Sequence, residues 1–78
     1  MRKLNVIASE ISKDWGAKVN FGAKPYLEAM YSLETINDKY GMDSGHSIVA
    51  YFLGNAGTWR GEVAKRVKAE LNAMLKGK

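Results

Sequence analysis

Ser47-Ile48-Val49-Ala50-Tyr51-Phe52-Leu53-Gly54-Asn55-Ala56-Gly57-Thr58-Trp59-Arg60 decides the fold class, because an apolar segment breaks at a glycine-bearing tetrapeptide and a basic amphipathic segment follows. The pattern reads as helix, tight turn, helix. Asp43 or Ser44 stands where a short side-chain oxygen accepts from free first-turn amides, and the apolar residues after Ser47 carry this third helix to about Asn55. Thr58 is the expected cap of a fourth helix. Its stripe is Trp59, Val63, Val67, Leu71 and Met74 or Leu75, with Glu62, Lys65, Arg66 and Asn72 facing away. Gly54 and Gly61 fall in or beside these runs at up to about 1 kcal/mol each relative to alanine. A close approach of the two helices at their junction would offset that cost.

Upstream, Leu4, Ile7, Ala8, Ile11 and Trp15 recur at three- and four-residue steps, predicting a first helix over about residues 3–15 with Gly16 as a left-handed cap. Val19 and Phe21 have no long period and read as an ordered loop laid across the core. Pro25 suits a first helical turn, and Tyr26, Leu27, Ala29, Met30, Leu33, Ile36 and Tyr40 then predict a second helix reaching Gly41. The expected architecture is all-α: one compact domain over residues 1–78, a bundle of about four helices without a sheet, ending in a helix-turn-helix-like hairpin.

A chain of 78 residues buries a limited core, and without cysteine it has neither disulfides nor thiolate metal ligands, so packing or self-association must supply stability. Asn5, Ser9 and Glu10 interrupt the apolar residues near the start, which argues against a secretory signal. No apolar run is long enough to cross a membrane. A cytoplasmic protein is the expectation.

Net charge is +4, from twelve Lys and Arg against eight Asp and Glu. Arg60, Lys65, Arg66, Lys68, Lys76 and Lys78 oppose only Glu62 and Glu70 in the C-terminal quarter, which therefore carries the excess. Such a stripe suits a nucleic-acid or acidic-protein partner. It equally suits a helix end that complements the macrodipole and keeps a small domain in solution.

Catalytic constellations are hard to assemble from these residues. His46 is the only histidine, and with Asp43, Ser44 and Ser47 it falls at a helix start rather than in a nucleophile-base order, so it reads as a solvated first-turn residue. One imidazole with Asp43 is too few ligands for a closed zinc site, and neither metal nor cofactor is expected. Glu28, Glu34 and Asp38 read as solvent-facing acids on a helix. Gly41-Met42-Asp43-Ser44-Gly45-His46 lacks the lysine and spacing of a phosphate-binding loop and reads as a turn with a cap. No enzymatic activity is expected.

Aromatic residues are numerous, and most must be core, but Tyr31 and Tyr51 lie off the helical stripes and are the candidates for an exposed patch beside the basic helix. Counted from His46, Ala50, Gly54 and Val63 fall at the fifth, ninth and eighteenth places, as in a DNA-binding helix-turn-helix, whereas Arg60 stands where an aliphatic is normal. In that reading Thr58, Trp59, Arg60, Glu62 and Lys65 would face a major groove while Arg66 and Lys68 met phosphates. The preferred alternative is a plain hairpin with Trp59 in the core and Arg60 pairing with Asp43 or Glu62.

The runs Pro25-Tyr26-Leu27-Glu28-Ala29-Met30, Tyr40 to Leu53 and Asn55-Ala56-Gly57-Thr58-Trp59-Arg60-Gly61-Glu62, with Ala64-Lys65, resemble small uncharacterised proteins of tailed bacteriophages, including cyanophages. The resemblance covers most of the chain from Trp15 onward. It implies a setting, the cytoplasm of an infected bacterium, and no mechanism. The functional expectation is a binding module for a host or phage protein, using Trp59, Arg60, Lys65, Arg66 and Lys68 with Tyr31 and Tyr51. Nucleic-acid binding and a homodimer completed by the stripes of the first and fourth helices are the alternatives.

Overall fold

In the computed structural model, which describes residues 2–76, the chain forms α1 (Leu4–Trp15), a 3-10 turn (Gly16–Lys18), α2 (Lys24–Met30), the short strands β1 (Lys39–Tyr40) and β2 (Asp43–Ser44), α3 (Gly45–Gly54) and α4 (Glu62–Lys76). Helices dominate, as the apolar periodicity requires. Lys78, part of the C-terminal charge excess, lies outside the described residues.

α1 has the expected boundaries and buries its whole stripe of Leu4, Ile7, Ala8, Ile11 and Trp15. Gly16 takes a positive φ of 62°, but its ψ of −137° lies outside the left-handed helical region, and the chain continues into the 3-10 turn. The loop that follows does not cross the core with both of its apolar residues: Val19 packs against the core, while Phe21 is 90% exposed.

The second helix is much shorter than its periodicity predicts, ending at Met30 rather than reaching Gly41. The reason is competition for carbonyl groups. Lys3 makes no side-chain cap for α1, and the first amides of that helix, Leu4 and Asn5, donate instead to the carbonyls of Glu34 (2.9 Å) and Leu33 (3.0 Å). The first amides of α3 are served the same way, Gly45 donating to Asp38 O at 2.6 Å and His46 to Ile36 O at 2.8 Å. Residues 31–38 thus form a non-helical strap whose backbone caps both helices, satisfying donors that every helix N-terminus leaves free. Asp38 secures the strap, its Oδ2 accepting from the amides of Glu34 (2.9 Å) and Thr35 (3.2 Å). These two backbone donors hold the Asp38 carboxyl below its usual range.

Lys39–Tyr40 and Asp43–Ser44 then pair antiparallel, with Gly41 at a φ of 63° in the turn, so a minimal two-stranded ladder stands where no sheet was expected. Ser44 ends it as the cap of α3, its Oγ accepting from the Ser47 amide at 3.1 Å.

The fourth helix also starts later than its stripe suggests. Residues 55–61 form an irregular connection, and Thr58, Trp59 and Arg60 precede the helix instead of opening it. Gly61, at a φ of 114°, is the pivot before α4. The expected close approach at Gly54 and Gly61 is absent, since a Cβ on either would meet nothing within 4 Å. It occurs at Gly45, where a Cβ would lie 2.7 Å from Thr35 O and 2.9 Å from Ile36 Cα, so the start of α3 runs directly on the strap.

α2 packs on α1 and α3, and α4 packs on the same two helices. Between them, Ile7, Ile11, Met30, Leu33, Phe52, Val67 and Leu71 form a core closed to water. No helix among the described residues is long and apolar enough to cross a membrane.

Candidate cationic site around Trp59

Trp59 sits on the connection between α3 and α4, yet it is only 2% exposed. Its ring stacks on Trp15 at 5.6 Å between centroids and 13° between planes, and meets the edge of Phe52 at 6.4 Å. Trp15 and Phe52 close the triangle at 6.1 Å. The indole N–H donates to Asp14 Oδ2 at 2.8 Å, which satisfies the polar handle that a buried tryptophan carries. Trp59 belongs to the scaffold, as the plain-hairpin reading had it, and leaves no ring face open for a partner.

Lys68 holds the connection from the other side. Its Nζ donates to the Trp59 carbonyl at 2.6 Å and stands 5.9 Å from the centroid of the ring. Burial lowers the pKa of this ammonium, and the positive charge of Arg60 lowers it further.

Two adjoining clefts flank this plug. One, of about 380 Å³, is lined by Asp14, Trp15, Lys18, Thr58, Trp59 and Arg60. The other, of about 270 Å³, lies between the connection and α4, with Arg60, Lys65 and Lys68 on its wall. Lys18, Arg60 and Lys65 make no ion pair with any carboxylate among the described residues. In particular, Arg60 pairs with neither Asp43 nor Glu62. Lys18 comes from the 3-10 turn after α1, and only tertiary folding brings it to this rim.

Arg66 faces elsewhere. It pairs with Glu10 of α1, which also lies 2.7 Å from Arg2 Nη1. Arg2 in turn makes a bidentate contact with Glu70, at 3.1 and 2.6 Å. Hydrogen bonds from Arg66 first and Arg2 second hold the Glu10 carboxyl below its usual range; Arg2 does the same for Glu70. The cations of α4 therefore divide between a neutralised network against α1 and an open rim toward the connection.

Tyr31 and Tyr51 are 45% and 53% exposed. They have different neighbours: the Tyr31 hydroxyl bonds Ser12 of α1, and the Tyr51 ring packs on Tyr26 of α2 at 5.4 Å. Neither lines the two cationic clefts. Met42, 99% exposed at the hairpin turn, and Phe21 are more exposed than either, and periodicity gave no sign of it. His46 is exposed on the first turn of α3. No protein-family model, curated protein or solved structure matches this chain.

Proposed function

We propose that the chain is a non-enzymatic binding module that engages a host or phage protein in the cytoplasm of an infected bacterium. The observation that carries this reading is the open cationic rim of Lys18, Arg60 and Lys65 around a rigid aromatic plug, on clefts shared by α1, the connection and α4. The buried Trp15–Phe52–Trp59 cluster fixes the backbone that carries these cations, so ordering on binding falls on their side chains alone. Tyr31 and Tyr51 add exposed aromatic surface at separate positions.

Geometry bears on the alternatives. The connection spans residues 55–61, longer than the three- or four-residue turn of a DNA-binding helix-turn-helix. Thr58, Trp59 and Arg60 are thereby withdrawn from the helix that would enter a groove. The stripes of α1 and α4, whose burial in a dimer was the motive for self-assembly, are already buried within one chain.

Capture from bacterial lysate on the immobilised protein, with and without nuclease, tests the reading. A specifically retained protein that survives nuclease is the expected result. Retention that disappears with nuclease sinks the protein-partner reading in favour of nucleic acid.

A further inference from the structure

The charges on the rim also indicate the chemistry of the partner, an inference that rests on the binding-module reading and sharpens it. We infer that the clefts on either side of Trp59 take an acidic protein segment, one of whose carboxylates sits between Arg60, Lys65 and Lys68 while another reaches Lys18.

Charge bookkeeping within the fold supports this. Asp14, the one acid lining either cleft, already accepts from the Trp59 indole, and Glu10 and Glu70 are committed to Arg2 and Arg66. Lys18, Arg60, Lys65 and Lys68 stand on the two clefts against Asp14 alone among the described acids, so the rim is net positive. Burial first and the nearby Arg60 second disfavour the charged Lys68, and a carboxylate seated between them would accept from both Arg60 and Lys68 and offset their repulsion. Lys68 is fixed by its bond to the Trp59 carbonyl, so one wall of the site is preformed.

The same features favour a carboxylate-bearing peptide over a nucleic acid. Single strands need an exposed aromatic face on which bases stack, and the Trp59 ring is covered by Trp15 and Phe52. A duplex needs cations along its phosphate track, but Arg66 of α4 is neutralised by Glu10.

The test is direct titration of the full chain at low salt with a short fluorescent peptide of alternating glutamate and alanine, with a lysine-alanine peptide and a generic DNA duplex as comparators. The glutamate peptide alone should bind, and added salt should weaken it. Arg60→Gln and Lys65→Gln, both exposed and outside the core, should each weaken binding by about fivefold, and together by about tenfold or more. Lys39→Gln, on the hairpin, should leave it unchanged. Unaltered melting temperatures show that the variants remain folded. No binding of the glutamate peptide, equal binding by the double variant, or tighter binding of the duplex each overturns the inference. Nuclease-resistant capture that the double variant retains would leave the binding-module reading standing and overturn only the acidic segment.

Discussion

At the residue scale, Trp59 shows how one side chain joins distant parts of the chain: its ring meets α1 through Trp15, α3 through Phe52 and α4 through Lys68. Trp59→Ala should cost about 3–5 kcal/mol by leaving a cavity among these partners. A domain of this size has a margin of the same order, so chemical denaturation should show the variant largely unfolded. Trp59→Phe, which retains a smaller ring but loses the bond to the exposed Asp14, should cost about 1–2 kcal/mol, and an unchanged midpoint would mean that the indole–carboxylate bond adds nothing. Gly45 is the other sensitive position. Its missing Cβ leaves room for the Thr35 carbonyl, and Gly45→Ala should destabilise by about 1–3 kcal/mol because backbone must move to admit a methyl group. The same substitution at Gly54, which is helical and unobstructed, should be neutral or mildly stabilising, and the contrast between the two midpoints is the measurement.

At the element scale, the strap of residues 31–38 is the least predictable part of the fold and supports two helices. Leu33 and Ile36 mimic helical spacing because both must face the core, although the backbone between them turns its carbonyls toward α1 and α3. Ser44→Ala removes the side-chain cap of α3 and should cost about 1 kcal/mol in a denaturant titration. The Arg2–Glu10–Arg66–Glu70 network, which ties α1 to α4, has a pH signature. Glu10 and Glu70 titrate lower in the folded chain than in the unfolded one, so the stability they contribute is present above the unfolded carboxylate range, about pH 4.3. It is lost as pH falls through their folded values. Melting temperature should therefore drop below about pH 4 more steeply in the parent than in a Glu10→Gln, Glu70→Gln variant, and parallel curves would show that the pairs are energetically silent.

At the scale of the whole fold, the helices of the described residues bury their apolar stripes against one another within extents of 27 × 22 × 19 Å, leaving no helical stripe among those residues for a second copy to complete. The melting temperature should accordingly stay constant across a wide dilution series, with light scattering giving a monomer mass. A midpoint that rises with concentration would restore the dimer, with Phe21 and Met42 as the exposed apolar residues to examine first.

Periodicity alone located α1, the buried stripe of α3 and the Val67, Leu71 and Met74 part of the α4 stripe, because side chains at helical spacing must share a face wherever the backbone is helical. Local chemistry likewise narrowed the cap of α3 to Asp43 or Ser44 and marked residues 41–46 as a turn, since both depend on near neighbours. The end of α2, the late start of α4, the bond from the Trp59 indole to Asp14 and the arrival of Lys18 beside Arg60 depend on groups far apart in sequence. Leu33 and Glu34 leave the helical path because their carbonyls accept from the first amides of α1, some thirty residues earlier. Arg66 closes onto Glu10, and Arg60 and Lys65 remain open, because packing set one side of α4 against α1 and the other against the connection. Sequence spacing records which residues share a face; only the folded chain decides what that face meets.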